Sequence, residues 1–160
     1  EALEASHFSA QANPEVMQAK GAKCWMNLGN ALSAVTDGKG DTASFLAEVR
    51  REAETVWSAV GIEWEDLEAF GERRKGKYGD AKKPEGYEDL KSGGSSWQSL
   101  IRGAGSIEVE QLNGDVVELG RLAGMDTPYN ALLWRLADEM AADGDAPGKY
   151  TAEDLMAMLE

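Results

Sequence analysis

The chain has 160 residues, a formal net charge of −13 and 42% hydrophobic residues, enough for one domain with a sizeable core. So acidic a balance repels phosphate backbones and excludes nucleic-acid binding by a broad basic face, and no apolar run approaches the ~20 residues needed to cross a bilayer. One cysteine, Cys24, excludes an intrachain disulfide and a cysteine metal cluster, and points to a reducing, cytoplasmic compartment.

No secretory apolar region stands at the start, and residues 1 to about 13 read as a connector from an absent upstream domain. His7, the only histidine, lies there with no triad around it. From Pro14 one helix is expected to about Val35, apolar on most sides in its second half and therefore buried. Asp37-Gly38-Lys39-Gly40 breaks it, and Asp41 or Thr42 caps the next helix. There Phe45, Leu46, Val49, Ala53, Val56, Trp57 and Val60 recur at helical spacing. Arg50, Arg51, Glu52 and Glu54 lie mostly opposite, and Gly61 is a natural stop.

A third helix is predicted over about Glu63 to Arg74. Positive charge then gathers at Arg73, Arg74, Lys75, Lys77, Lys82 and Lys83 among glycines, which reads as a solvated loop before a phosphate grip. Ser95 or Ser96 is expected to cap a helix through Trp97, Leu100 and Ile101. A helix from about Ser106 to Leu122 carries Leu112, Val116, Leu119 and Ala123 on one stripe and ends at Gly124. Thr127 caps the next, with Pro128 at its first position and Leu132, Leu133, Leu136 and Met140 buried. The segment from Ala131 to Met140 is also a candidate homodimer face. Thr151, three residues before Asp154, opens a last short helix. The fold class is all-α, a helical bundle.

Among polar residues, Glu108 draws the eye: Leu112 and Val116 at i+4 and i+8 place it on the apolar stripe, in the first helical turn. It is either a capping glutamate or a carboxylate seeking a cation or ligand. Lys23 and Asn27, one turn apart on the first helix, form either a packing network or a positioned proton donor beside an amide. Gly103-Ala104-Gly105-Ser106-Ile107-Glu108 imitates a dinucleotide fingerprint but follows a helix and ends on an acid, so it is rejected. No metal site is expected.

Taken together, the spacing resembles the carboxy-terminal helical domain of the ketopantoate reductases (2-dehydropantoate 2-reductases), related in fold to 6-phosphogluconate dehydrogenase-like enzymes. Lys23 and Asn27 match that family's lysine and its asparagine four residues on. Ser96 stands twelve residues before Glu108, which precedes Asn113-Gly114 by five, and Thr127-Pro128-Tyr129-Asn130 matches the family's next helix start. Two departures stand out: Leu100, where the family often has an aspartate, and the loop Thr36 to Asp41, which lacks the family's asparagine.

The resemblance implies half of a cytoplasmic NADPH-dependent oxidoreductase of pantothenate biosynthesis, with the cofactor held mainly by an absent N-terminal Rossmann domain. It implies Lys23 as general acid, Asn27 and Ser96 as substrate contacts, and Glu108 orienting substrate or cofactor and pairing with Lys23. The implied partners are a small keto acid, the cofactor domain and a possible second copy. Alternatives are a related dehydrogenase for another hydroxy or keto acid, and a non-catalytic helical interaction or dimerisation domain.

Overall fold

A computed structural model of the chain describes Ser6, residues 12–78 and residues 93–160, with the side chains of 73–78 set aside. His7, most of the expected connector and the side chains of the basic run lie outside the described residues. The elements in order are α1 (Val16–Asn27), α2 (Gly29–Thr36), α3 (Thr42–Val60), α4 (Leu67–Tyr78) and α5 (Ser95–Ile101). A one-turn π segment (Glu110–Gly114) follows, then α6 (Asp115–Ala123), α7 (Pro128–Asp143) and α8 (Ala152–Ala157). Among the described residues there is no strand, so the all-α expectation holds.

The short α2 is the hub. Its Ala31, Leu32, Ala34, Val35 and Thr36 are all buried, because α3, α5 and α7 pack around it. The core continues through Phe45, Val49, Ala53 and Val56 of α3, Val116 of α6, and Leu133, Leu136, Ala137 and Met140 of α7. The apolar stripe of α7 is thereby used inside the domain and is not a free dimer face. Val60, at the end of α3, is instead 39% exposed.

Local chemistry sets many of the ends. Asp41 accepts from the Ser44 backbone N–H at 3.1 Å, and Thr151 and Asp154 form a reciprocal capping box at the start of α8. α3 and α6 stop at Gly61 and Gly124, whose φ angles of 75° and 69° lie in the left-handed region.

Five expectations need correcting. The first helix is broken at Leu28 into α1 and α2, and α4 begins at Leu67 rather than near Glu63. Neither Ser95 nor Ser96 caps α5, whose N-cap position is Gly94. Thr127 occupies the N-cap of α7 but makes no capping bond with its side chain. Finally, residues 102–109 are turn and loop, and the chain enters α6 through the π segment. There the Gly114 N–H donates to the Val109 carbonyl at 3.0 Å, an i to i+5 bond that inserts one residue. That insertion shifts the buried stripe to Val109, Asn113, Val116 and Gly120. Glu108 falls outside the helix and is exposed.

Candidate functional site

α1 is held in place from two sides. The Trp25 indole N–H donates to Glu54 of α3 at 2.8 Å, and the Arg50 guanidinium lies 3.8 Å from the Trp25 ring centroid. On the other side Gly21 lies under Trp64; a Cβ there would stand 2.9 Å from the Trp64 Cβ. This fixes α1 and leaves Lys23 exposed on its surface, with Asn27 half-buried at its last position.

Beyond the break at Leu28, Asn30 of α2 donates from Nδ2 to Ser95 Oγ at the start of α5, at 3.3 Å. Gly94 sits against the same side chain, and a Cβ on it would meet Asn30 Oδ1 at 2.7 Å. The neighbouring Ser96 is 1% exposed, and its enclosed hydroxyl has no hydrogen-bond partner in the domain. Ser95, not Ser96, presents its hydroxyl to solvent. Leu100, at the position where an aspartate was noted as common, is buried in the core.

On its other flank the α1–α2 break meets the π segment: the Leu28 carbonyl accepts from Asn113 Nδ2 at 3.3 Å. Burial pushes the Cys24 thiol up, the charge of Asp115 adds to this, and Lys23 pulls the other way. The thiol is therefore held in its protonated form more firmly than a free cysteine. The fold thus gathers the α1–α2 break, the Gly94-Ser95-Ser96 turn and the start of α6. Lys23 and Glu108 are both exposed, and among the ion pairs of the described residues none joins them.

A buried polar network was missed at the level of sequence. Glu52, expected on the wet side of α3, is 6% exposed. Its Oε1 accepts from the Tyr129 N–H at 2.9 Å, and its Oε2 from the Asn130 N–H at 3.0 Å and from Asn130 Nδ2 at 2.7 Å. A carboxylate from another helix therefore caps α7, in the place expected of Thr127. Asn130 Nδ2 also donates to the Val49 carbonyl at 3.0 Å, and Asn130 Oδ1 accepts from Asn113 Nδ2 at 2.9 Å. The signal was present: Val49 and Val56, at i−3 and i+4 from Glu52, both belong to the apolar stripe.

Among the described residues, two cavities lie away from this seam. One of about 500 Å³ is bounded by Phe45, Tyr129, Met156, Asp41 and Glu153. The other, about 460 Å³, is bounded by Gln18, Ile62 and Trp64. Neither is lined by Lys23, Asn27, Ser96 or Glu108. Among the described residues no group of histidine, cysteine or carboxylate side chains is assembled to hold a metal ion, and no helix is long and apolar enough to cross a membrane.

The fold and this polar seam define an all-helical domain in which α2 is wrapped by its neighbours and polar side chains gather at a helix break. The family model for "Ketopantoate reductase PanE/ApbA C terminal" matches residues 15–141, and the chain belongs to that family. A solved PanE/ApbA family ketopantoate reductase from Ralstonia eutropha JMP134 is similar, with a TM-score of 0.68 and 26% sequence identity. The likeness covers 88% of this chain and 46% of that one, so the chain spans about half the length of the solved relative. No curated protein matches it.

Proposed function

We propose that this chain is the substrate-side domain of an NADPH-dependent 2-keto-acid reductase that reduces 2-dehydropantoate (ketopantoate) to pantoate in the cytoplasm, in pantothenate biosynthesis. The observation that carries the reading is the family match over residues 15–141, which contains Lys23, Asn27, Ser96 and Glu108.

The cofactor, when bound, supplies a hydride to the ketone carbon. An N-terminal nucleotide-binding domain would hold most of it, and Glu108 is the residue of this chain proposed at its edge. A donor set of exposed ammonium, half-buried amide and a serine hydroxyl with no protein partner suits a small keto acid presented to such a group. As the carbon accepts the hydride, the carbonyl π electrons move to oxygen. The Lys23 ammonium hydrogen-bonds that oxygen and transfers a proton to it, and solvent then reprotonates the lysine. Asn27 keeps the substrate in register with Lys23. Ser95 and Ser96 face the substrate's carboxylate or hydroxyl end, with Ser95 the more accessible of the two. Glu108 orients substrate or cofactor and faces Lys23 across the bound ligand.

The non-catalytic reading requires Lys23, Asn27 and Glu108 to be shielded ties between helices; Asn27 is half-buried, but Lys23 and Glu108 are exposed. Glu52, Asn113 and Asn130 perform that tying role instead. The buried Leu100 favours a second reading, a related reductase with another 2-keto acid as its substrate.

Purified full-length enzyme is expected to oxidise NADPH when ketopantoate is added, and the isolated chain is expected to give no turnover. Absence of oxidation by the full-length protein across a panel of 2-keto acids overturns the reductase reading. Faster turnover of a different member of that panel reassigns the substrate.

A further inference from the structure

We infer that Asn113, oriented by Asn130 and Glu52, is a positioning residue that sets the α1–α2 break on which Lys23 and Asn27 are carried. The inference deepens the reductase reading and rests on it.

The orientation of the network is unambiguous. Asn113 Nδ2 lies against two acceptors, the Leu28 carbonyl and Asn130 Oδ1. Asn130 Nδ2 likewise lies against two, the Val49 carbonyl and the Glu52 carboxylate. Neither amide can be reversed without setting acceptor against acceptor. The series therefore runs one way, from the Glu52 carboxylate through two amides to one backbone carbonyl. The carboxylate polarises the Asn130 amide, which strengthens the acceptor that Asn113 uses.

That terminal carbonyl belongs to Leu28, the single residue between α1 and α2. Its neighbour in the chain is Asn27, and Lys23 lies one turn earlier on the same helix. Moving the Leu28 peptide moves both side chains relative to Asn30, which is separately tied to Ser95. The π segment serves this contact: its extra residue turns Asn113 fully into the core. Gly114 then lets Trp134 close over the segment, since a Cβ there would stand 3.2 Å from the indole ring. Nothing in the surrounding apolar packing calls for an amide at this position, and its own Oδ1 has no partner. Its value lies in the two bonds that it donates.

The test compares Asn113→Leu with Leu155→Ala in the full-length enzyme. Leu155 is a fully buried residue of α8, outside the network. Asn113→Leu is expected to lower kcat about 10-fold or more, with KM for NADPH within about twofold of wild type, because a small displacement of a positioned group is enough for such a loss. Backbone amide exchange over residues 24–31 should accelerate in the same variant. Leu155→Ala should lower the melting temperature while leaving kcat and that exchange unchanged. If Asn113→Leu does not fold, Asn113→Ser replaces it in the same comparison. Unchanged exchange over residues 24–31, or an equal kcat loss in Leu155→Ala, overturns the inference. A wild-type enzyme without keto-acid reductase activity overturns the functional reading alone, since the exchange comparison needs no turnover.

Discussion

Replacing Lys23 with alanine is expected to lower the turnover of the full-length enzyme by about 10²-fold or more, the usual scale for a positioned general acid. The side chain is exposed, so its removal leaves the fold intact and the loss reports on chemistry. Lys23→Arg is expected to recover little: guanidinium keeps the charge but gives up its proton poorly, and its planar fork does not reproduce the ammonium geometry. Steady-state kinetics with ketopantoate and NADPH checks both variants. Turnover equal to wild type in Lys23→Ala removes the residue from the mechanism.

Glu52→Ala is expected to have the largest effect on stability. It leaves the backbone N–H groups of Tyr129 and Asn130, and one of the two side-chain N–H donations of Asn130, without their acceptor. Stranding buried donors costs about 1–3 kcal/mol each without adding fully, so a loss of about 3 kcal/mol is expected. For a domain of this size that lowers the melting temperature by roughly 6–12 °C. A change no larger than that of an exposed glutamate such as Glu68→Ala would contradict the capping role. The pH dependence has a defined sign. Burial pushes the Glu52 carboxyl above its ordinary range, while the donations from Tyr129 and Asn130 and the charge of Arg51 hold it down only in part. The folded state therefore binds this proton more tightly than the unfolded chain does. The proton-linked part of Glu52's contribution grows as pH falls through its raised titration range and is lost as pH rises through it, on top of the hydrogen bonds that its oxygens accept. Melting curves from pH 7 to pH 5 should show wild type gaining on Glu52→Gln, and a difference that stays flat or reverses would contradict this.

What the sequence discloses and what it conceals divide by the range of the interaction. The stops at Gly61 and Gly124, the Asp41 cap and the Thr151–Asp154 box involve residues within a turn of each other, and all were legible. The encirclement of α2 was legible too, because an element apolar on most sides has nowhere to go but inside. The break at Leu28 was not, since its stabilising donor, Asn113, lies 85 residues away. The cap of α7 was assigned to the adjacent Thr127, whereas Glu52 supplies it from 77 residues upstream of Tyr129. The one-residue π insertion leaves no mark on a periodicity count, and so the stripe was read one position early, with Glu108 in the place that Val109 takes. At the proposed site, spacing singled out Lys23, Asn27, Ser96 and Glu108 as candidates. It did not distinguish the enclosed hydroxyl of Ser96 from the open one of Ser95, which depends on how α5 packs against α2.

The most direct test is the structure of the full-length enzyme with NADP and pantoate bound. Lys23 Nζ is expected within about 2.6–3.2 Å of the pantoate hydroxyl formed by reduction, with the Glu108 carboxylate lining the same cleft. A bound product that leaves Lys23 in solvent, with Glu108 on the opposite side of the domain, would contradict the account.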